Sequence, residues 1–420
     1  MVSFVITIIK LIIILCLVAT IHEFGHFIIA KACKMGVDEF SIGFGPLIIQ
    51  RKFKGTMYSL RWLPFGGYCA IEGEEGTSNS PTSFANKNVF QKVIVLLAGA
   101  TFNAILATII FLSVALSYDT YTTNITGLSE NSVLIGSGIE VGDTILSING
   151  KRVRLQGDLL NQAFATDSDN TTTNIEYMHN GEKKETVVNN AIKDIGYIGV
   201  AFKINEDGSD VTNEIDMVAS GSAAVSAGLK SGDKIISVND IETKNSSDVI
   251  KLIRELPNQD VKLLINRDGK DEEIIVNPIS KKYFDLGIIS TSKEKTTFKL
   301  AGVSAIANIK QIVGSYVDLF RGKVGIKDMS GIVGIGEVVS RTSSFIEFLN
   351  LLGIISLAVG VANVMPFPPL DGGKIVIVVC EAITRKKLSE KAEMTISYIG
   401  FALLIALTIF VTFNDIMRII

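Results

Sequence analysis

The amino-acid sequence predicts a multi-pass α-helical membrane protein with four spans, a glycine-rich β-hairpin region after the first, and two small α+β domains inserted after the second. Three observations predict it. Apolar residues make up 47% of the 420 residues and the mean hydropathy is +0.39, too high for an ordinary soluble enzyme of this size. Four stretches stay apolar over the roughly 20 residues a helix needs to cross a bilayer. Between the second and third of them, residues 118–290 turn polar, β-branched and acidic, and they repeat internally.

Residues 1–32 form the first expected span. Of these, residues 3–30 are almost wholly apolar apart from Lys10 and the run Ile21-His22-Glu23-Phe24-Gly25-His26. On a helix His22 and His26 lie one turn apart on one face, about 40° apart. Two imidazoles so placed can hold one Zn²⁺, with Glu23 beside them to take a proton from water. The chain has three histidines and two of them are here. Ionisable groups inside a span are costly and therefore point to function. The competing reading is a pair of polar residues at a helix end facing the interface. A cleavable signal peptide is disfavoured, because no basic segment precedes the run and no small-residue cleavage site comes before His22. With Lys10 reaching one interface, residues 11–30 supply about 30 Å of helix and place His22 roughly 17 Å deep.

Residues 33–92 are the expected cytoplasmic-side loop. Lys34, Arg51, Lys52, Lys54, Arg61, Lys87 and Lys92 cluster there, with Lys31 just before it, so the positive-inside rule puts the N-terminus outside. Residues 38–73 are rich in glycine and aromatics and read as short strands joined by turns. Such a hairpin enters a bilayer only where its backbone is covered, and it then offers an edge to an extended peptide. A cytoplasmic hairpin with a packing role fits the residues equally well. The second span, 93–117, carries Gly99 and Asn103; an Asn in a span ordinarily hydrogen-bonds a neighbouring helix.

In the polar middle, Gly138, Gly142, Asp143, Ile145, Ser147 and Asn149 recur 90 residues later as Gly228, Gly232, Asp233, Ile235, Ser237 and Asn239. The period suits two tandem domains, placed at 118–202 and 203–290. Residues Gly221 to Asn239 closely resemble the PDZ domains of bacterial envelope proteases, which bind peptides by strand addition, often at a free carboxyl end. His179, on a polar turn, reads as a surface residue. Residues 291–344 read as an amphipathic juxtamembrane helix followed by a loop at Ser330–Gly336. The third span, 346–365, lies in segment 345–373; 374–395 is an expected cytoplasmic loop marked by Lys374, Arg385, Lys386, Lys387 and Lys391; the fourth span, 396–413, lies in segment 396–420. Both termini and the repeat domains are then extracytoplasmic.

Two histidines leave a catalytic zinc short of its three protein ligands. Asp371 is the only carboxylate between Glu347 and Glu381 and follows a proline-broken helix end. A turn or cap role is the alternative for it. At this point the chain resembles the bacterial RseP-type site-2 proteases, intramembrane zinc metalloproteases with two PDZ domains. The resemblance rests on HEFGH in the first span and on Asn363-Val-Met-Pro-Phe-Pro-Pro-Leu-Asp371-Gly372. Phe40-Ser-Ile-Gly-Phe-Gly45, Pro64-Phe-Gly-Gly-Tyr68 and the paired repeats add to it. It implies one Zn²⁺ within the membrane on His22, His26 and Asp371, Glu23 as general base, and Asn363 as a substrate-positioning residue. It also implies a re-entrant β-hairpin near 38–72. The expected substrates are single-span proteins of the inner membrane, such as anti-sigma factors or remnant signal peptides already trimmed outside, with the PDZ pair as a filter for peptide ends. Two departures are lost prolines, at Ala100 and at Ile332, both outside the metal set.

Other classes fit less well. A net charge of −3 offers no basic patch for nucleic acid, and four cysteines without C-x-x-C spacing argue against a disulfide framework or a cysteine-rich zinc site. A PDZ-bearing scaffold with a relic site would be free to lose Glu23. A zinc transporter would need more intramembrane acidic or histidine residues along a path.

Overall fold

The computed structural model describes residues 2–74, 80–165, 171–190, 192–204, 211–219, 221–322, 331–386 and 388–419. The chain divides into two units, residues 1–118 with 296–420, and residues 119–295.

The first unit is helical. Its helices are α1 (Val2–Ala32), α2 (Val89–Leu116), α3 (Phe298–Phe320), α4 (Ile332–Arg341), α5 (Phe345–Asn363), α6 (Asp371–Thr384) and α7 (Glu390–Ile419). Four are long and apolar enough to cross a membrane: Phe4–Ala32, Val89–Leu116, Phe345–Asn363 and Lys391–Met417. Local chemistry sets several ends. The Asn88 side chain accepts from the Gln91 amide at the start of α2, and Ser344 with Glu347 forms a capping box at the start of α5. Pro366, Pro368 and Pro369 lack amide hydrogens, so α5 cannot continue past Asn363.

Two expectations are corrected here. Segment 374–395 is not simply a loop: the chain restarts as α6 at Asp371, so the LDG motif opens a separate helix instead of closing the third span. The glycine-rich run expected to be a loop is largely helical, α4 beginning at Ile332. Its N-terminus is capped from outside its own segment, the Asp415 carboxylate on α7 accepting from the Gly331 and Gly334 amides at 2.8 Å each. Lys10 has a partner within the protein. Its ammonium donates to the Thr342 carbonyl at 2.7 Å, at the C-terminal end of α4, where the helix dipole favours a cation.

After α1 come β1 (Val37–Phe53) and β2 (Thr56–Ile71), a two-stranded sheet in which each strand doubles back. Glu39–Ile42 has partners both in Met57–Leu60 and in Gly67–Ala70, whereas Ile49–Phe53 pairs back along Thr56–Leu60. Gly43 and Gly45, both at φ +82°, turn β1 in the middle, and Gly66 at φ +76° turns β2. Arg61 straps the first turn: it donates to the Gly45 carbonyl at 2.8 Å and pairs with Glu39 at 2.9 Å. Around the turns Phe44, Leu47, Ile48, Trp62, Leu63 and Phe65 are exposed.

The second unit contains two copies of one α+β fold. In one, the strand order is Lys270–Val276, Val261–Arg267, Lys234–Val238, Val211–Val218, Val200–Ile204. In the other it is Glu182–Asn189, Thr172–His179, Thr144–Ile148, Asp119–Leu128, Ile288–Lys295. The outer strand of the first copy therefore comes from beyond the second copy, which is nested inside it. This corrects the boundary at 202/203: Val200–Ile204 belongs to the second sheet, and the first is completed by Ile288–Lys295, which straddles the expected boundary at 290/291. The cores explain the nesting, since Phe284 and Leu286 pack with Ile125, Ile145 and Ile175 of the first copy. Ile192–Tyr197 pairs with Ile279–Phe284 where the inner copy leaves and rejoins the outer one.

Candidate metal centre

The centre is assembled from α1, α2, α5 and α6. His22 and His26 are buried on one face of α1, with their Nε2 atoms 3.2 Å apart and their rings edge to face. Asp371, the first residue of α6, brings Oδ2 to 3.0 Å from His22 Nε2 and 3.4 Å from His26 Nε2. These three are the group of histidine, cysteine and carboxylate side chains among the described residues able to hold a metal ion together. Zinc bonds of 2.0–2.1 Å in a tetrahedron set ligand atoms about 3.3 Å apart, so the spacing fits the ion without rearrangement. The donor set, two imidazoles and one carboxylate with a fourth direction left over, is that of a catalytic zinc site.

Close backbone approach makes this possible. A Cβ on Gly99 would lie 2.4 Å from His26 Nε2 and 2.6 Å from His22 Nε2, and one on Gly25 would lie 2.5 Å from the Ala98 carbonyl oxygen. Thus α1 and α2 cross glycine on glycine, with both imidazoles laid on the α2 backbone. His26 Nδ1 lies 2.8 Å from the Val95 carbonyl; donating its hydrogen there leaves Nε2 with a free lone pair for a metal. The two glycines after Asp371 serve the same end. A Cβ on Gly372 would lie 2.2 Å from the Val364 carbonyl oxygen, and one on Gly373 2.3 Å from Pro368 N, so only glycine lets the loop fold back over the start of α6. Lys374 then ties α6 to the residues after β2 through Glu74 at 2.7 Å.

Glu23 is half-buried beside the pair, and its carboxylate interacts electrostatically with His26, His22 and Asp371. Asn363, the last residue of α5, has its amide nitrogen 3.5 Å from His22 Nδ1 and 3.4 Å from Nε2. All five residues named from the sequence thus converge. His179 lies in the other unit and is more than a plain surface residue: it bonds the buried Asp143 at 2.8 Å. Gly25, Val95 and the Lys374–Glu74 pair were not legible beforehand. The glycine inside the motif and Gly99, four residues before Asn103, are the sequence signals that could have marked a close helix crossing.

Comparison with known proteins identifies the family. Residues 10–407 match the family model for peptidase family M50. A relative from Lactococcus lactis that carries a zinc metalloprotease name is 30% identical, over 98% of this chain and 98% of its own length. Another with such a name, from Clostridium acetobutylicum, is 29% identical over 94% and 93%. The regulator of sigma E protease of Haemophilus influenzae is 27% identical over 97% and 98%. With a family match across nearly the whole chain and four apolar helices, this chain is a membrane zinc metalloprotease belonging to peptidase family M50.

Proposed function

We propose that the chain is an intramembrane endopeptidase that cuts single-span membrane proteins, with one Zn²⁺ on His22, His26 and Asp371 and with Glu23 as general base. The observation that supports this most is the set of three ligand atoms 3.0–3.4 Å apart, two of them on the apolar helix Phe4–Ala32. Zinc bound there supplies Lewis acidity, making water nucleophilic near neutral pH and polarising a peptide carbonyl. Glu23 takes the proton of the attacking water and passes a proton to the leaving amine. Asn363, with its amide against His22, positions the substrate backbone.

A peptide in a spanning helix has its carbonyls engaged internally, so it must unwind before it is cut. The sheet of β1 and β2 is the receiver: its apolar turns enter the bilayer, and the exposed stretch Leu47–Phe53 offers an edge for an added strand. The two nested copies are PDZ domains that screen peptide ends, with Ile288–Lys295 and Val200–Ile204 as the outer strands of their sheets. The basic residues that follow α1 and α6 support a cytoplasmic location for those connections, with both termini and both copies outside the cytoplasm of a bacterial cell. Anti-sigma-factor-like proteins and remnant signal peptides, trimmed beforehand, are the substrate class. The name of the Haemophilus influenzae relative supports that choice.

The test is cleavage of a tagged single-span reporter by the wild type and by Glu23→Gln. The variant keeps its zinc and loses at least about 100-fold in rate, the lower range for a removed general base. Equal cleavage by both would sink the mechanism.

A further inference from the structure

Both imidazoles lie against α2, yet only His26 has an evident orienting partner, the Val95 carbonyl. We propose that Asn103 is the positioning residue of His22, its side-chain oxygen accepting the hydrogen of His22 Nδ1. This rests on the ligand assignment above.

Asn103 lies two turns along α2 from Val95, is fully buried, and has its amide nitrogen 3.4 Å from His22 Nδ1. Its Oδ1 has no hydrogen-bond partner among the described residues. A ring that binds metal through Nε2 carries its hydrogen on Nδ1 and needs an acceptor there. Facing that hydrogen with the amide nitrogen sets donor against donor. A half-turn of the amide, whose two ends are nearly the same size, replaces it with the unpartnered oxygen.

The backbone of Asn103 is held for this. Ser356 Oγ on α5 donates to its carbonyl at 3.0 Å, and Gly360 lets α5 approach so closely that a Cβ there would lie 3.2 Å from Asn103 Cβ. Asn363 does not compete for the role, because its amide is almost equidistant from both ring nitrogens of His22 and so lines up with neither. One helix thereby orients both histidines, through a backbone carbonyl for one and a side chain for the other.

The experiment measures zinc affinity of the purified, detergent-solubilised full chain by chelator competition. Asn103→Leu, similar in size but without an acceptor, weakens zinc binding by about 10- to 100-fold, the usual loss for an outer-shell partner of a ligating histidine. Asn103→Asp, which keeps an acceptor oxygen, binds zinc within about threefold of wild type or tighter. The thermal midpoints of the metal-free proteins stay together, which separates positioning from packing. Unchanged affinity in the Leu variant, or equal losses in the Leu and Asp variants, overturns the proposal. If the Leu variant does not fold, the Asp variant decides alone, a loss of about tenfold or more being fatal. His22→Ala serves as the control. If it keeps stoichiometric zinc, the ligand assignment itself has failed; if it loses zinc while Asn103→Leu keeps it, only the role of Asn103 has.

Discussion

The two nested copies solve one problem in two ways. Each buries an aspartate at the head of its first central strand, Asp143 in the outer copy and Asp233 in the inner. Each aspartate accepts the backbone amide three residues before it, from Glu140 at 2.9 Å and from Lys230 at 2.8 Å. The partners then diverge. In the inner copy Arg267 alone grips both oxygens of Asp233 at 2.7 Å and also donates to the Gly228 carbonyl at 2.9 Å. In the outer copy the work is divided: His179 bonds Asp143 at 2.8 Å, while Tyr177 donates to the matching carbonyl of Gly138 at 3.0 Å. The shared turn requires an anchored carboxylate, whereas the counter-group is free to vary as long as the carboxylate and the carbonyl are both satisfied. A guanidinium does both because its donors are fixed in a fork, which an imidazole lacks.

That comparison ranks three substitutions. Arg267→Ala leaves Asp233, whose side chain is 1% exposed, without a counter-charge. It should cost the inner copy about 3 kcal/mol, the low end for a broken buried pair, because Arg267 itself is a quarter exposed. Hydrogen exchange along Lys234–Val238 reads the loss, and unchanged protection there would break the comparison. His179→Ala removes the bond to Asp143, together with an exposed one to Asn180, and leaves Tyr177 in place, so about 1–2 kcal/mol should be lost from the outer copy, seen along Thr144–Ile148 and not in the inner sheet. Tyr177→Phe, which deletes a single neutral hydrogen bond, should cost about 1 kcal/mol. A larger effect for Tyr177→Phe than for His179→Ala would mean that the carbonyl, not the carboxylate, is the feature being held.

Local and distant determinants differed in how far they could be read from sequence. HEFGH is a local pattern whose geometry follows from helix period alone, so His22, His26 and Glu23 were legible at once. Asp371 is 349 residues from His22, and no periodicity joins them; it was reached through its isolation as a carboxylate and a motif resemblance. The role of Asn103 depends on which helix passes behind α1, a tertiary fact. The glycine-rich start of α4 reads as loop because its cap, Asp415, lies 84 residues beyond Gly331. The misplaced domain boundary has the same origin. An outer strand looks alike whether it is supplied before its sheet or after it, and the repeat marks the central strands without saying who completes the edge.

Nesting also sets an order in time. Every strand of the inner sheet exists once the chain has been made as far as Val276, whereas the outer sheet waits for Ile288–Lys295. Domains that emerge complete fold as units during synthesis, so the copy written second finishes first. Once it has, pairing of Ile192–Tyr197 with Ile279–Phe284 brings together the two ends of the insertion. The long loop the outer copy must close is thereby shortened, and with it the entropy lost in closing it. The inner domain acts, in effect, as the clasp on which the outer one is assembled.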